Sequence, residues 1–255
     1  SNIVLTFSEA VDREIGNILI KKISDDSIVE TIDVTSDQVT GTGTTQITIN
    51  PSNNFNSSTE YYVQIPATAF DDASDNSYAG ISDTTSLSFK TADIINPILS
   101  SSSPADNSTA ITVDSNVLLT FSEAVDVETG NIFIKKTSDD STVETIDVTS
   151  DKVTGSGTTQ ITINPSVDLA SSTEYYIQIP ATAFDDAFGN SYAGISDTTS
   201  ISFTTVDTTN PTLISSSPAD NAKNYTVGSN GIVLNFSEAV DAVSYTHLRA
   251  HETRN

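Results

Sequence analysis

Val117-Leu-Leu-Thr-Phe-Ser-Glu-Ala-Val-Asp126 puts Val117, Leu119 and Phe121 on one side of an extended chain, with Leu118 and Thr120 on the other. A period of two is the mark of a strand with one face in a core. Its closing phrase, Phe121 to Asp126, also stands at Phe7-Ser-Glu-Ala-Val-Asp12 and at Phe236-Ser-Glu-Ala-Val-Asp241. Working outward from it, residues 1–93 align with residues 115–207 at a constant offset of 114, and 74 of the 93 pairs are identical. A tandem array supplies length, reach or multiplicity, whereas catalysis needs only one competent site.

The repeat is longer than solenoid units of ~20–45 residues, which cannot stand alone. It falls in the ~100–150 residue range of autonomous domains, enough for a core of its own. Further alternations flank the opening strand: Ile132 and Ile134, then Ile146 and Val148, Ile161 and Ile163, Tyr175, Ile177 and Ile179, and last Ile201 and Phe203. Pro165 and Pro180 close two of these runs by removing a ladder donor. With Ile98–Ser100 the spacing predicts about seven strands and turns every ~8–12 residues, which is a two-sheet sandwich. One helical turn is expected around Ala181–Asp186. The junctions Asn96-Pro97 and Asn210-Pro211 set the register: a first domain over 1–93 lacking its opening strand, a complete domain over 94–207, and the start of a third over 208–242.

The chain of 255 residues carries 34 acidic and 10 basic side chains, a net charge of −24. Such a surface repels phosphate backbones and anionic lipid, and no Lys/Arg stripe offers a nucleic-acid footprint. Cations are its natural small partners. There is no cysteine, which excludes thiol catalysis and disulfides but does not exclude an extracellular home, because a domain of this size can do without staples. No run approaches the ~20 apolar residues of a membrane span. Residues 243–255, with both histidines His247 and His251, break the repeat pattern and resemble translated sequencing-adapter read-through. They are expected to be non-native and are set aside.

Asn210-Pro-Thr-Leu-Ile-Ser-Ser-Ser-Pro-Ala-Asp-Asn221, followed by Ile232-Val-Leu-Asn-Phe-Ser-Glu-Ala-Val240, resembles the start of a bacterial Ig-like domain of the SbsA/Big_5 class. Tyr175-Tyr-Ile-Gln-Ile-Pro-Ala-Thr-Ala-Phe-Asp-Asp-Ala-Phe-Gly-Asn190 is similar to that family's closing half. The resemblance covers residues 1–241 and implies an all-β chain of tandem immunoglobulin-like Greek-key β-sandwich domains. It implies spacer or accessory modules of adhesins, surface-layer proteins and secreted enzymes. The first repeat departs from it, with Asp75-Asn76 where Gly189-Asn190 stands later. Asp enters the left-handed region less readily than Gly, at a cost of about 1 kcal/mol.

Candidate site residues are acids. Glu123, like Glu9 and Glu238, stands between a core strand and a turn in each copy, as a ligand or as a solvated turn residue. Asp185, Asp186 and Asn190, with Asp71, Asp72 and Asn76 in the first copy, crowd oxygens into six residues, as Ca²⁺ requires. Asx turns account for the same pattern without a metal, and no EF-hand spacing is present. Asp93–Asn96 and Asp207–Asn210 are junctional candidates, where Asp207 and its counterpart could share an ion between domains. No histidine lies outside the tail, so a Ser-His-Asp triad has no base, and the adjacent acids Asp139 and Asp140 read as a solvated turn. Gly155-Ser-Gly157 and Gly41-Thr-Gly43 read as hairpin tips. The expected role is a stalk repeat of a secreted or cell-surface bacterial protein, not an enzyme. It needs no cofactor, with Ca²⁺ as the candidate ion and neighbouring repeats as partners. The alternatives are adhesion to glycan or protein by multivalency, or service as accessory domains of a secreted enzyme.

Overall fold

The computed structural model describes residues 2–223 and 231–241. Every element is a strand. The first repeat contains β1 (Ile3–Arg13), β2 (Asn17–Lys22), β3 (Ile28–Asp33), β4 (Val39–Thr40), β5 (Thr44–Ile49), β6 (Glu60–Gln64), β7 (Phe70–Asp71) and β8 (Ser88–Lys90). The second contains β9 (Leu99–Ser103), β10 (Ser108–Ile111), β11 (Val117–Val127), β12 (Asn131–Lys136), β13 (Thr142–Asp147), β14 (Val153–Thr154), β15 (Thr158–Ile163), β16 (Glu174–Gln178), β17 (Phe184–Asp185) and β18 (Ser202–Thr205). From the third come β19 (Leu213–Ser217) and β20 (Val233–Phe236), an antiparallel pair.

In the second repeat one sheet runs β10-β18-β16-β12-β13 and the other β14-β15-β11-β17, with β9 also on β11. The non-sequential neighbours are those of two stacked sheets linked by crossovers. All pairings are antiparallel except β10 on β18, which is parallel. The first repeat keeps β4-β5-β1-β7 and β3-β2-β6-β8. No sheet mixes strands of two repeats. Each repeat closes a separate apolar cluster, one around Ile18, Ile47 and Tyr61 and the other around Ile132, Ile161 and Tyr175.

The alternating residues face the core as expected: Val117, Leu119, Phe121, Ile132, Ile134, Ile161 and Ile163 are buried. Aromatic edges pack within the core, with the Phe121 ring 5.5 Å from Phe184 and 5.2 Å from Tyr192. The buried Tyr175 hydroxyl accepts the Ala170 N–H at 2.8 Å, satisfying its polar end. Two details differ from the sequence expectation. The second repeat has ten strands, because β14, β17 and the split opening pair β9/β10 are too short to show a period. The helical turn expected around Ala181–Asp186 is a turn closed by Ala183 N–H on Pro180 O, followed by β17. Phe184 must extend there to reach the core, and packing overrides local propensity.

Candidate functional site at the domain junction

The Phe-Ser-Glu-Ala-Val-Asp phrase is where β11 leaves regular pairing. Thr120 faces Gln160 and Val125 faces Thr158, so β11 spends more residues than β15 between the two pairs. The excess makes a bulge, which bends a strand and re-aims its side chains. Glu123 lies in it, half-buried. Beyond it, Asp126 and Val127 pair with Asp185 and Phe184 of β17, bringing the following loop to the same end of the sandwich.

That loop is organised by Asp186. Its Oδ1 accepts the N–H of Phe188 and of Asn190, both at 2.8 Å, and its Oδ2 accepts Asn190 Nδ2 at 2.8 Å. Asp72 repeats the arrangement with Ser74 and Asn76. This is the Asx-turn chemistry named above. Asp186 is 4% exposed. Burial pushes its carboxyl up, but these donors offset that and hold it below the ordinary range.

The third acid comes from the junction. Asp93 Oδ1 accepts the Ser57 hydroxyl at 2.9 Å and the Ile95 N–H at 3.0 Å, so the last residue of the first repeat is fixed to that repeat. Carboxylate oxygens of Asp93, Glu123 and Asp186 all lie within 4.8 Å of one another. Burial, then the charges of Asp186 and Asp93, push the Glu123 carboxyl up. The motif returns at the next junction. Asp207 Oδ1 accepts from Ser171 and Thr209 and is held down to about 2, first by the Thr209 hydroxyl. Glu238 is pushed up by burial and then by Asp207.

The structure therefore unites Glu123 and Asp186 with Asp93, and Asp207 with Glu238. Asp185 and Asp71 are drawn into β-pairing with Asp126 and Asp12, Asn190 and Asn76 serve as donors to their loops, and Glu9 is exposed in β1. Oxygens ~2.4 Å from one centre lie at most about 4.8 Å apart, so the three carboxylates fit half of the six to eight oxygens a calcium shell takes. Sequence reading placed Asp93 among the junction residues but could not bring it to Asp186. Asp140 lies exposed in its turn, as read from the sequence, and has partners that reading did not name. Its carboxylate accepts from the Tyr176 hydroxyl and sits 2.9 Å from Lys135 Nζ, whose ammonium lies 5.5 Å from the Tyr176 ring centre. Lys21, Asp26 and Tyr62 repeat the same trio. The exposed acid thus caps a buried tyrosine on the outer face of each sandwich.

A family profile described as bacterial Ig-like domain matches residues 1–91, 93–205 and 207–253, the last running into the segment set aside above, which lies outside the described residues. No curated protein matches the chain. Among solved structures, a biofilm-associated protein BSP domain is similar at 12% identity and a TM-score of 0.22, over 82% of this chain and 28% of that one. Extracellular domains 3–5 of Drosophila OTK are similar at 10% identity and a TM-score of 0.26, over 84% of this chain and 62% of theirs. The chain thus spans less than two thirds of either.

Proposed function

This chain belongs to the bacterial Ig-like domain family, and from that premise we propose that it is a spacer, a run of stalk repeats in a secreted or cell-surface bacterial protein with no catalysis of its own. The observation that carries the reading is the pair of separate hydrophobic clusters in series, one per repeat, with no strand shared between them. Domains that bury their own cores can be multiplied without rebuilding their neighbours, which suits a device whose output is distance. The acidic, Lys-poor composition supports an extracellular setting. Small-angle scattering on chains of one, two and four repeats tests it: the maximum dimension is expected to grow by a constant step per repeat. A compact envelope at four repeats would overturn the spacer. Glycan or cell-adhesion signal rising steeply with repeat number would assign the array an adhesive role instead.

On this reading the junction acids are where a hard divalent cation such as calcium would stiffen the joint, neutralising Asp93, Glu123 and Asp186 together. Calorimetric titration of calcium into the intact chain is expected to give heat that Glu123→Gln reduces. Absence of heat would remove the cation and leave the spacer standing. The Glu123→Gln change also reads the repulsion alone. A folded-state carboxyl pushed up binds its proton more tightly than the unfolded one, so the ionised form costs stability at neutral pH. Glu123→Gln is therefore expected to raise the melting temperature of the second repeat at pH 7, with the gain shrinking as pH falls through the carboxylate range.

A further inference from the structure

One pairing in the second repeat differs in sense from its neighbours. β10 lies parallel on β18, with Ser108 opposite Phe203 and Ile111 opposite Thr205, while the other pairs of that repeat are antiparallel. It joins a strand near the start of the repeat to the last one. Further bonds fasten the same seam. Val206 N–H donates to Ile111 O at 2.8 Å, and Asp106 Oδ1 accepts the Ser202 N–H at 3.0 Å and the Ser202 hydroxyl at 2.8 Å. Leu169 N–H, donating to Val113 O at 2.8 Å, anchors the chain just after β10. Ser202, Phe203 and Thr205 are 5%, 2% and 3% exposed, so water has little access to compete for these bonds.

The register fixes where the chain enters and leaves. Lys136 pairs with Tyr175 and Tyr175 with Phe203, so β18 runs toward the end of the sandwich where β12 finishes. β12 starts at the opposite end, just after β11 has paired with β17. Asp93 meets Asp186 beyond β17 at that opposite end, and Ser122 N–H donates to Ile98 O at 2.9 Å, so the linker from the first repeat arrives far from where β18 leaves. A pull between neighbouring repeats therefore draws β10 backward and β18 forward along one axis. β9, which that pull meets first, also lies lengthwise along β11. In a parallel pair loaded this way the bonds across the seam stretch together and divide the force, whereas peeling from one end breaks them singly. Forced unfolding follows the barrier to rupture and not equilibrium stability, so this geometry sets mechanical strength.

We propose that the seam between β10 and β18 is a mechanical clamp, and that the second repeat serves as a force-bearing link between its neighbours. Ile111, Asp106 and Val206 are the residues that hold it. The inference rests on the geometry of one repeat and is independent of the spacer reading. A compact envelope in scattering would end that reading and leave the clamp standing.

The test stretches the second repeat within the intact chain by single-molecule force spectroscopy, with handles on introduced cysteines, since the chain has none of its own. Handles at Ile94→Cys and Thr208→Cys load the seam in shear. Handles at Asp114→Cys and Thr208→Cys follow β10 and β18 at the same end and peel it. Ile94, Asp114 and Thr208 are exposed, so the attachments leave the core alone. The rupture force is expected to be at least about twofold higher in shear than in peeling. Val206→Pro removes the donor to Ile111 O, and Asp106→Ala removes the acceptor for Ser202. Both are expected to lower the shear force by more than Gly189→Asp, which strains a turn away from the seam. Equal forces in the two pulling directions would overturn the proposal, and that comparison needs no seam variant to fold. A loss of shear force in Gly189→Asp as large as in both seam variants would overturn it as well.

Discussion

Two repeats with 74 of 93 aligned residues identical do not bury the same surface. Val117, Leu119 and Phe121 are 1%, 0% and 3% exposed, while their counterparts Ile3, Leu5 and Phe7 are only half-buried. The side chains are alike and β1 keeps the pairings to β5 and β7 that β11 makes to β15 and β17, so composition is not the cause; β11 has β9 in addition. The difference is β9 and β10, which cover one sandwich and have no equivalent among the described residues of the other. Burial belongs to the assembled sheets. A strand supplies half of a contact, and what its partner removes from water decides the energy.

The comparison can be broken by truncating equivalent rings. Phe203→Ala empties a sealed core site and is expected to cost about 3–5 kcal/mol. Phe89→Ala removes a ring already half in water and is expected to cost less than half of that. Denaturant unfolding that resolves the two repeats reads both, and equal losses would refute the account of the difference in burial.

A smaller effect runs the other way. Glu30 is 7% exposed and accepts from Ser52 N–H and hydroxyl, Asn53 N–H and Gln38 Nε2 at 2.7–3.0 Å. Its counterpart Glu144 accepts from Ser166 N–H; Lys152 replaces the Gln38 side-chain donor, and Val167 N–H does not repeat the bond that Asn53 N–H makes. Glu30→Ala strands several donors and is expected to cost about 1–3 kcal/mol, and Glu144→Ala clearly less. Burial pushes the Glu30 carboxyl up, yet its donors outweigh this and leave it below the ordinary range. Its stabilisation is therefore present above the unfolded carboxyl's range and lost as pH falls through the folded one. The gap between the two variants is expected to close in acid.

The smallest effect concerns one turn. Asp75 adopts φ 62° where Gly189 adopts φ 83°, as the substitution in the sequence implied. Asp75→Gly is expected to stabilise the first repeat by up to about 1 kcal/mol, and Gly189→Asp to destabilise the second similarly. Thermal melts of the two variants check the pair, and shifts of the same sign would sink the argument.

The strands were legible because alternation of Ile, Val and Tyr is a local signal, and Pro165 and Pro180 mark ends by removing donors. β14 and β17 escaped detection, since two residues cannot display a period. Asp186 was legible as a turn former, because its partners lie within four residues. Its meeting with Asp93 was not, since those residues touch only after β11 bulges, β17 pairs with it and the linker turns back. The solvated turn at Asp140 was legible too, but its partner Tyr176 was not, as that residue lies on a strand distant in sequence.

By itself, the order of residues determined the 114-residue period, the all-β character, the acidic surface and the turn chemistry, all of which depend on neighbours a few positions away. Only the tertiary structure decided which acids converge at a junction and which tyrosine an aspartate caps. Those outcomes depend on distances through space, and these are set by sheet pairing and by the path of the chain between sheets.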